Sequence, residues 1–294
     1  MAPVYDYEIS IITVNYNGYE DTCALIDTLP VGDKAVEIIV VDNGSIRDEA
    51  SLISKRYPTV KAFRLDTNTG FAGGNNHGIR MSSGRYLFFI NNDTVFKEWN
   101  VRSLIGRLES DSTAGMACPK IRFAFGGCDI QFAGYTPLSK ITVRNRAIGF
   151  GEPDNGQHDT PHPTPYAHGA AMMVKREAIE KAGLMPECYF LYYEELDWSE
   201  RMHDAGYRIW YEPGCTIYHK ESRSTGQGSP LKAQYLTRNR LLFVRRNVHG
   251  PVRYASYAYL ILIVAMRDML SHLLQGRPRH AAATANGIIS FLKS

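Results

Sequence analysis

The chain has 294 residues, a formal net charge of +3, and a composition of 44% hydrophobic and 21% charged residues, ordinary for a soluble globular protein. So small a charge does not by itself imply a nucleic-acid partner. Five cysteines with no C-x-x-C pair argue against a disulfide framework or a zinc knuckle and suit a reducing cytosol.

Met1 to Glu8 has no basic segment leading into an apolar stretch, which reads against a secretory signal. Ile9–Val14 is a β-branched run that stops at a polar cluster, Asn15 to Gly18, so a buried strand and a turn are expected. Tyr19–Leu29 reads as helix, Val36–Val41 as a second strand ending at Asp42, and Asp48–Tyr57 as a helix closed by Pro58. Val60–Leu65 is a third strand, followed by the loop Asp66–Gly70 and a helix over Phe71–Ser82 with a glycine-rich start. Arg85–Ile90 is a fourth strand, ending at Asn91-Asn92-Asp93.

Strands and helices alternating at this spacing predict βαβ units and a parallel sheet. Ligands of such sheets bind beyond the carboxyl ends of the strands. Four successive strand ends carry polar side chains: Asn15 with Asn17, Asp42, Asn68, and Asn91 to Asp93. Each alone suits an ordinary turn; together, on one sheet edge, they point to a site. Neither a G-x-G-x-x-G after the first strand nor a P-loop is present, so a nucleotide must be held in another way.

Further along, His158, His162 and His168 flank a proline-rich loop and match no metal spacing. They are assigned to the acceptor side. Glu194, Glu195 and Asp197 precede a helix expected over Trp198–Ala205, where acids also complement the helix dipole. Thr216–His219 reads as a strand. The polar stretch Lys220–Gly228 is expected to close over a bound ligand and exclude water. Arg238, Arg240, Arg245, Arg246 and Arg253 form a basic cluster suited to phosphates or an anionic membrane surface. The apolar run Tyr257–Met266 falls short of the roughly 20 residues of a spanning helix and reads as buried or interfacial.

Ser10–Asn17, Ile39–Ser45, Asn68–Asn76 and Phe89–Thr94, in that order, resemble the nucleotide-binding half of a family 2 glycosyltransferase of the GT-A type. Glu194-Glu-Leu-Asp197 and Ile217-Tyr-His219 continue the likeness, which covers about residues 9–247. The subgroup most similar contains rhamnosyltransferases of polysaccharide assembly, with galactofuranosyltransferases as relatives. The resemblance implies an α/β GT-A fold: a Rossmann-like, mostly parallel sheet flanked by helices, with a C-terminal helical extension. It divides the chain into a domain over 1–247 and a helical segment over 248–294 that touches membrane. Within the domain, 9–96 would hold nucleotide and 97–247 acceptor and catalytic groups.

The implied activity is transfer, with inversion, of a sugar from a nucleoside diphosphate to an acceptor hydroxyl. The donor is dTDP-rhamnose in the first instance, or a UDP-linked sugar such as galactofuranose. The acceptor is a glycan or a lipid-linked sugar. Asp42 would accept the ring N–H of thymine or uracil, with Thr13 and Asn15 lining the same pocket. Asn68, Gly73, Asn76, Asn92 and Arg238 complete the donor side. Asp93 and His219, with Asn91 in place of the family's usual aspartate, would hold Mg2+ or Mn2+. Glu195 maps to the general base, and Glu194 and Asp197 would orient substrate or helix. A cytoplasmic enzyme, peripheral on the membrane's cytoplasmic face, is expected. Nucleic acid is not an expected partner, and a homo-oligomer is left open. A nucleotide-sugar-binding protein without catalysis is the alternative of a different class.

Overall fold

The computed structural model describes residues 5–220 and 229–294. The first half is β1 (Tyr7–Asn15), α1 (Tyr19–Ile26), β2 (Val36–Asp42), α2 (Glu49–Arg56), β3 (Lys61–Arg64), α3 (Gly70–Met81) and β4 (Gly84–Ile90). Then come β5 (Thr94–Val95), α4 (Arg102–Ser110), β6 (Ala114–Phe123), β7 (Ile130–Phe132), β8 (His162–Pro163), β9 (Ala171–Lys175) and α5 (Arg176–Ala182). The chain continues through α6 (Glu194–Asp204), β10 (Arg208–His219), α7 (Pro230–Asn247), α8 (Pro251–Ala258), α9 (Met266–Leu274) and α10 (Pro278–Leu292).

The sheet runs β3-β2-β1-β4-β9-β6-β10-β5. The expected parallel sheet is its first half, since β3, β2, β1 and β4 are all parallel. Antiparallel β9 then joins β4 to β6, so the complete sheet is mixed. The core is continuous across this seam, from Ile11 and Val40 to Phe88, Met172 and Ile217.

The glycines of α3 let it lie close against β1. A methyl group at Gly74 would come within 2.8 Å of Val14, and one at Gly78 would run into Ile12. Helix-to-sheet contact is thus what these small residues serve. Gly70 has φ 76°, and a side chain there would collide with the Phe190 carbonyl, which accepts from Phe71 N–H at 2.9 Å. That contact ties the start of α3 to the turn before α6.

A second core lies beyond the sheet. Leu241, Leu242, Phe243 and Val244 of α7 pack with Leu260, Val264 and Phe291, and also with Tyr189 and Tyr193. The C-terminal helices therefore buttress the turn that leads into the acidic motif. Arg238 and Arg240 lie on α7.

The apolar run at 257–266 belongs to a longer element than its hydropathy suggested. Pro251–Leu274 is one helix of 24 residues, with a π-wound stretch at Tyr259–Ala265. By length and composition it is sufficient to cross a bilayer. One side packs inward, while Leu262, Ile263, Met266, Leu270, Leu273 and Leu274 are exposed.

Candidate active site

The carboxyl ends of the first strands form a dense polar network. Asn15, wholly buried, donates to Glu49 Oε2 at 2.8 Å and accepts from Thr22 Oγ1 at 2.8 Å. Thr22 Oγ1 in turn accepts from Asn92 Nδ2 at 3.0 Å. Asn15 and Asn92 therefore join the ends of β1 and β4 to α1 and α2.

Asp42 is wholly buried, and its oxygens accept from the backbone N–H groups of Ser45, Glu49 and Ala50 at 3.2–3.3 Å and from Asn15 at 3.4 Å. It is anchored as an acceptor at the start of α2. These four donors hold Asp42 in place and occupy both of its oxygens. Thr13 is also wholly buried, and its Oγ1 has no partner among the described residues. Asn68 caps its own turn by accepting from Gly70 N–H at 2.9 Å and from Asn43 at 3.1 Å.

Three residues expected on the donor side are engaged elsewhere. Asn76 is buried and bridges α3 to the 185–187 segment, donating to the Met185 carbonyl and accepting from its N–H. Both bonds would be lost if it turned to a ribose. Gly73 faces the Thr69 side chain, which a methyl group there would strike at 2.5 Å. Arg238 donates to Asn239 Oδ1 at 2.9 Å and, at 3.5 Å, to the Tyr189 carbonyl.

Asp93 and His219, far apart in the chain, meet because β5 pairs with the end of β10, Thr94 opposite His219. His219 Nε2 lies 3.1 Å from Asp93 Oδ1. Its other nitrogen, Nδ1, is 2.9 Å from Gln131 Oε1. In the neutral ring Nδ1 carries the proton given to Gln131, and the Nε2 lone pair then faces a carboxylate oxygen. Two acceptors so placed call for a proton or a cation between them. Oxygen and imidazole donors fit Mn2+, and Mg2+ less well. Among the described residues no group of three or more His, Cys, Asp or Glu forms a metal cage, so a cation held at this pair would need further ligands from outside the chain. Asn91 fixes this corner through its backbone, its N–H donating to the Ala170 carbonyl at 2.9 Å and its carbonyl accepting from Thr94.

The acidic motif approaches from the other side. Helix α6 begins at Glu194, four residues before the sequence suggested. Phe190, Tyr192 and Tyr193 precede it with φ of 68°, 73° and 79°, a left-handed conformation that costs non-glycine residues about 1–3 kcal/mol each. Asn239 of α7, wholly buried, holds the turn by donating to the carbonyls of Tyr189, Leu191 and Tyr192 at 2.7–3.1 Å.

The three acids then diverge. Asp197 is wholly buried and accepts from Tyr189 Oη at 2.7 Å, Arg246 Nε at 2.6 Å and Asn247 Nδ2 at 3.0 Å. It ties α6 to α7. Glu194 is buried with Oε2 unpartnered among the described residues. Burial, and then the neighbouring Glu195 charge, push its carboxyl up to about 8. Glu195 is partly exposed, and desolvation raises its carboxyl as well. A carboxylate whose pKa is raised is a stronger base toward a hydroxyl proton than an ordinary one.

Because burial favours protonated Glu194, the stability it contributes is complete at low pH. It is lost as pH rises from the ordinary carboxyl range through about 8. Glu194→Gln is therefore expected to melt above the unaltered chain at pH 9, by about 1 kcal/mol or more, with the gap closing toward pH 4. Parallel thermal melts across that range check it, and a constant gap removes the burial argument.

His168 and Gly169 connect the two halves of the site. Glu195 Cγ lies 3.9 Å from the position a Gly169 side chain would take. The His168 ring is 6.4 Å from that of His219 and stacks on Tyr135. Its Nδ1 accepts from Ala170 N–H, and burial, with His219 nearby, pushes its pKa down to about 3, so it is neutral. Of the three loop histidines only His168 joins the site. His158 pairs with Glu152, and His162 packs on Tyr211. Gln131, Gly169 and Asn239 carried no signal in the sequence, because each acts through neighbours remote in the chain. The expected closing segment, beyond Lys220, lies outside the described residues.

The chain is 27% identical over 198 residues to a low-salt glycan biosynthesis hexosyltransferase of Haloferax volcanii, covering 66% of this chain and 61% of that protein. It thus spans less than two thirds of that relative's length. It is 23% identical over 221 residues to an N-acetylglucosaminyl-diphospho-decaprenol L-rhamnosyltransferase of Mycobacterium tuberculosis, covering 66% and 70%. A dTDP-rhamnosyl transferase of Shigella flexneri is 25% identical over 301 residues, covering 95% of both.

In fold the chain is similar to GalNAc-T7, solved with UDP, GalNAc and Mn2+, with a TM-score of 0.61, 15% identity and coverage of 90% of this chain and 58% of that one. It is also similar to a mannosyltransferase of Pyrobaculum calidifontis in complex with GDP-Man and Mn2+, with a TM-score of 0.58, 14% identity and coverage of 99% and 91%. The architecture is the GT-A fold. The glycosyl transferase family 2 model matches residues 10–183, more than half the chain, and the protein belongs to that family of glycosyltransferases.

Proposed function

We propose that the chain is an inverting, cation-dependent transferase that moves a hexosyl residue, L-rhamnose from dTDP-rhamnose in the first instance, to a hydroxyl of a lipid-linked or polysaccharide acceptor. One observation carries the reading: the Asp93–His219 pair and Glu195 border the same His168–Gly169 turn. Asp93 and His219 would hold the cation, which when bound would supply charge neutralisation for the departing diphosphate. Glu195 takes the proton of the acceptor hydroxyl as its oxygen attacks the anomeric carbon. The nucleoside diphosphate leaves with the bonding pair. The 190–193 turn, held by Asn239, aims Glu195. Relatives named for rhamnosyl transfer and for a diphospho-decaprenol acceptor support the choice of sugar and acceptor. The exposed apolar face of helix 251–274 and the nearby arginines support a place on the cytoplasmic face of a membrane.

Binding gives a test independent of turnover. At a hundredfold excess over Kd, dTDP-rhamnose should stabilise the chain by about 2.7 kcal/mol with Mn2+ present, and far less with a chelator. UDP-galactose and UDP-galactofuranose run beside it identify the base. Asp93→Ala should lose the Mn2+-dependent part. Equal stabilisation of Asp93→Ala and the unaltered chain would remove the cation assignment.

A further inference from the structure

A cavity of about 280 Å³ lies between α7, helix 251–274 and α10. Its wall is divided by chemistry. Arg144, Lys232 and Arg240 are cations on its lining, and Leu236, Leu260 and Val264 form an apolar part. Among the described residues no carboxylate pairs with any of the three cations. Asp268 is the one acid on the wall, and its Oδ1 already accepts from Arg267 at 3.0 and 2.6 Å. His272 also lines the cavity, with a buried Nδ1 that has no partner among the described residues.

Two further features fix what such a cavity takes. Arg240 Nε donates to Tyr193 Oη at 2.8 Å, and Tyr193 is two positions before Glu195, so the cationic part adjoins the acidic motif. Leu260, Val264, Asp268 and His272, spaced four apart, face the cavity, while Leu262, Ile263, Met266, Leu270 and Leu273 of the same helix face outward at 55–65% exposure. An outer apolar face of that kind suits a lipid surface.

We infer that this cavity seats the diphosphate and the first carbons of a membrane-borne lipid-diphosphate acceptor, with the remaining chain in the bilayer along the outer face of helix 251–274. The proposal rests on the lipid-linked acceptor put forward above and locates it. Phosphate oxygens take the unpaired cations and the His272 donor, and the first methylenes cover Leu236, Leu260 and Val264. The volume is below the roughly 300–1,000 Å³ of sites that engulf a whole ligand, which suits a head group with its tail outside. The sugar hydroxyl of the acceptor then lies toward Glu195.

The test is titration of the full chain, without donor, using decyl diphosphate as probe and inorganic pyrophosphate as comparison. Decyl diphosphate should bind at least about tenfold tighter than pyrophosphate, and reversing the cations in Arg144→Glu/Lys232→Glu should weaken it by about tenfold or more per charge. Leu260→Trp, which fills the apolar part and leaves the charges, should weaken decyl diphosphate and not pyrophosphate. Mn2+-dependent stabilisation by the donor should persist in all variants and reports that they fold. Unchanged decyl diphosphate binding in Arg144→Glu/Lys232→Glu overturns the proposal, as does pyrophosphate binding as tightly as the lipid probe. Neither result touches the donor and cation assignments, whose failure appears only in the Asp93→Ala titration.

Discussion

Glu195→Gln is expected to lower the rate of sugar transfer by about 10²–10⁴-fold, the contribution of a positioned general base. The amide keeps the size and the place of the side chain, so donor binding with Mn2+ should be unchanged and the melting temperature should hold or rise. The rise follows from removing one of two acids that repel each other across a desolvated corner. Donor hydrolysis by water should fall less than transfer, because the proposed role of Glu195 is to take the proton of the acceptor hydroxyl. Steady-state rates against a lipid-linked acceptor and donor melts on the same preparation separate the two effects. Transfer at the native rate would transfer the role of base to another group, and Glu194 is too enclosed to take it.

Asp197→Ala should produce a loss of a different kind, although it is two residues away. Its carboxylate is wholly buried and joins Tyr189, Arg246 and Asn247. Removing one member of a buried ion pair costs about 3–5 kcal/mol. Arg246 is 39% exposed and recovers part of its hydration, so about 3 kcal/mol, at the low end, is expected. The fall in melting temperature would be on the order of 5–10 °C. Asp197→Asn keeps a carbonyl acceptor for one donor and should lose less. Since α6 and α7 are loosened together, transfer at a permissive temperature should also drop, through misplacement of Glu195. A melting temperature equal to that of the unaltered chain would show that the network carries little stability. The contrast between neighbouring acids separates chemistry from architecture within one motif.

The sequence determined the βαβ half of the fold. Hydrophobic runs of strand length alternate there with helical segments, and four polar clusters fall at strand ends. Those signals are local, and observed and expected bounds agree within a few residues, as at α3 and β4. The second half gave weaker signals, because its strands, antiparallel at β9 and parallel between β6 and β10, pair across long connections. Burial on both sides left β9, Ala171–Lys175, without alternation, and it looked like any short apolar run.

Only tertiary structure decided what the polar residues do. Asp42 and Asn76 have the residue types of ligand contacts, but the hydrogen bonds that occupy them come from α2 and from the 185–187 segment. The meeting of Asp93 with His219 depends on pairing between β5 and β10, and Glu195 is placed beside the His168–Gly169 turn by the start of α6. Local propensity is set by neighbours in the chain, whereas a site is set by which distant backbone groups the packed sheet and helices bring within 3 Å or so of a side chain. Asn239 is the plainest case: an unremarked residue on a helix that, by three hydrogen bonds, holds the turn from which the acidic motif projects.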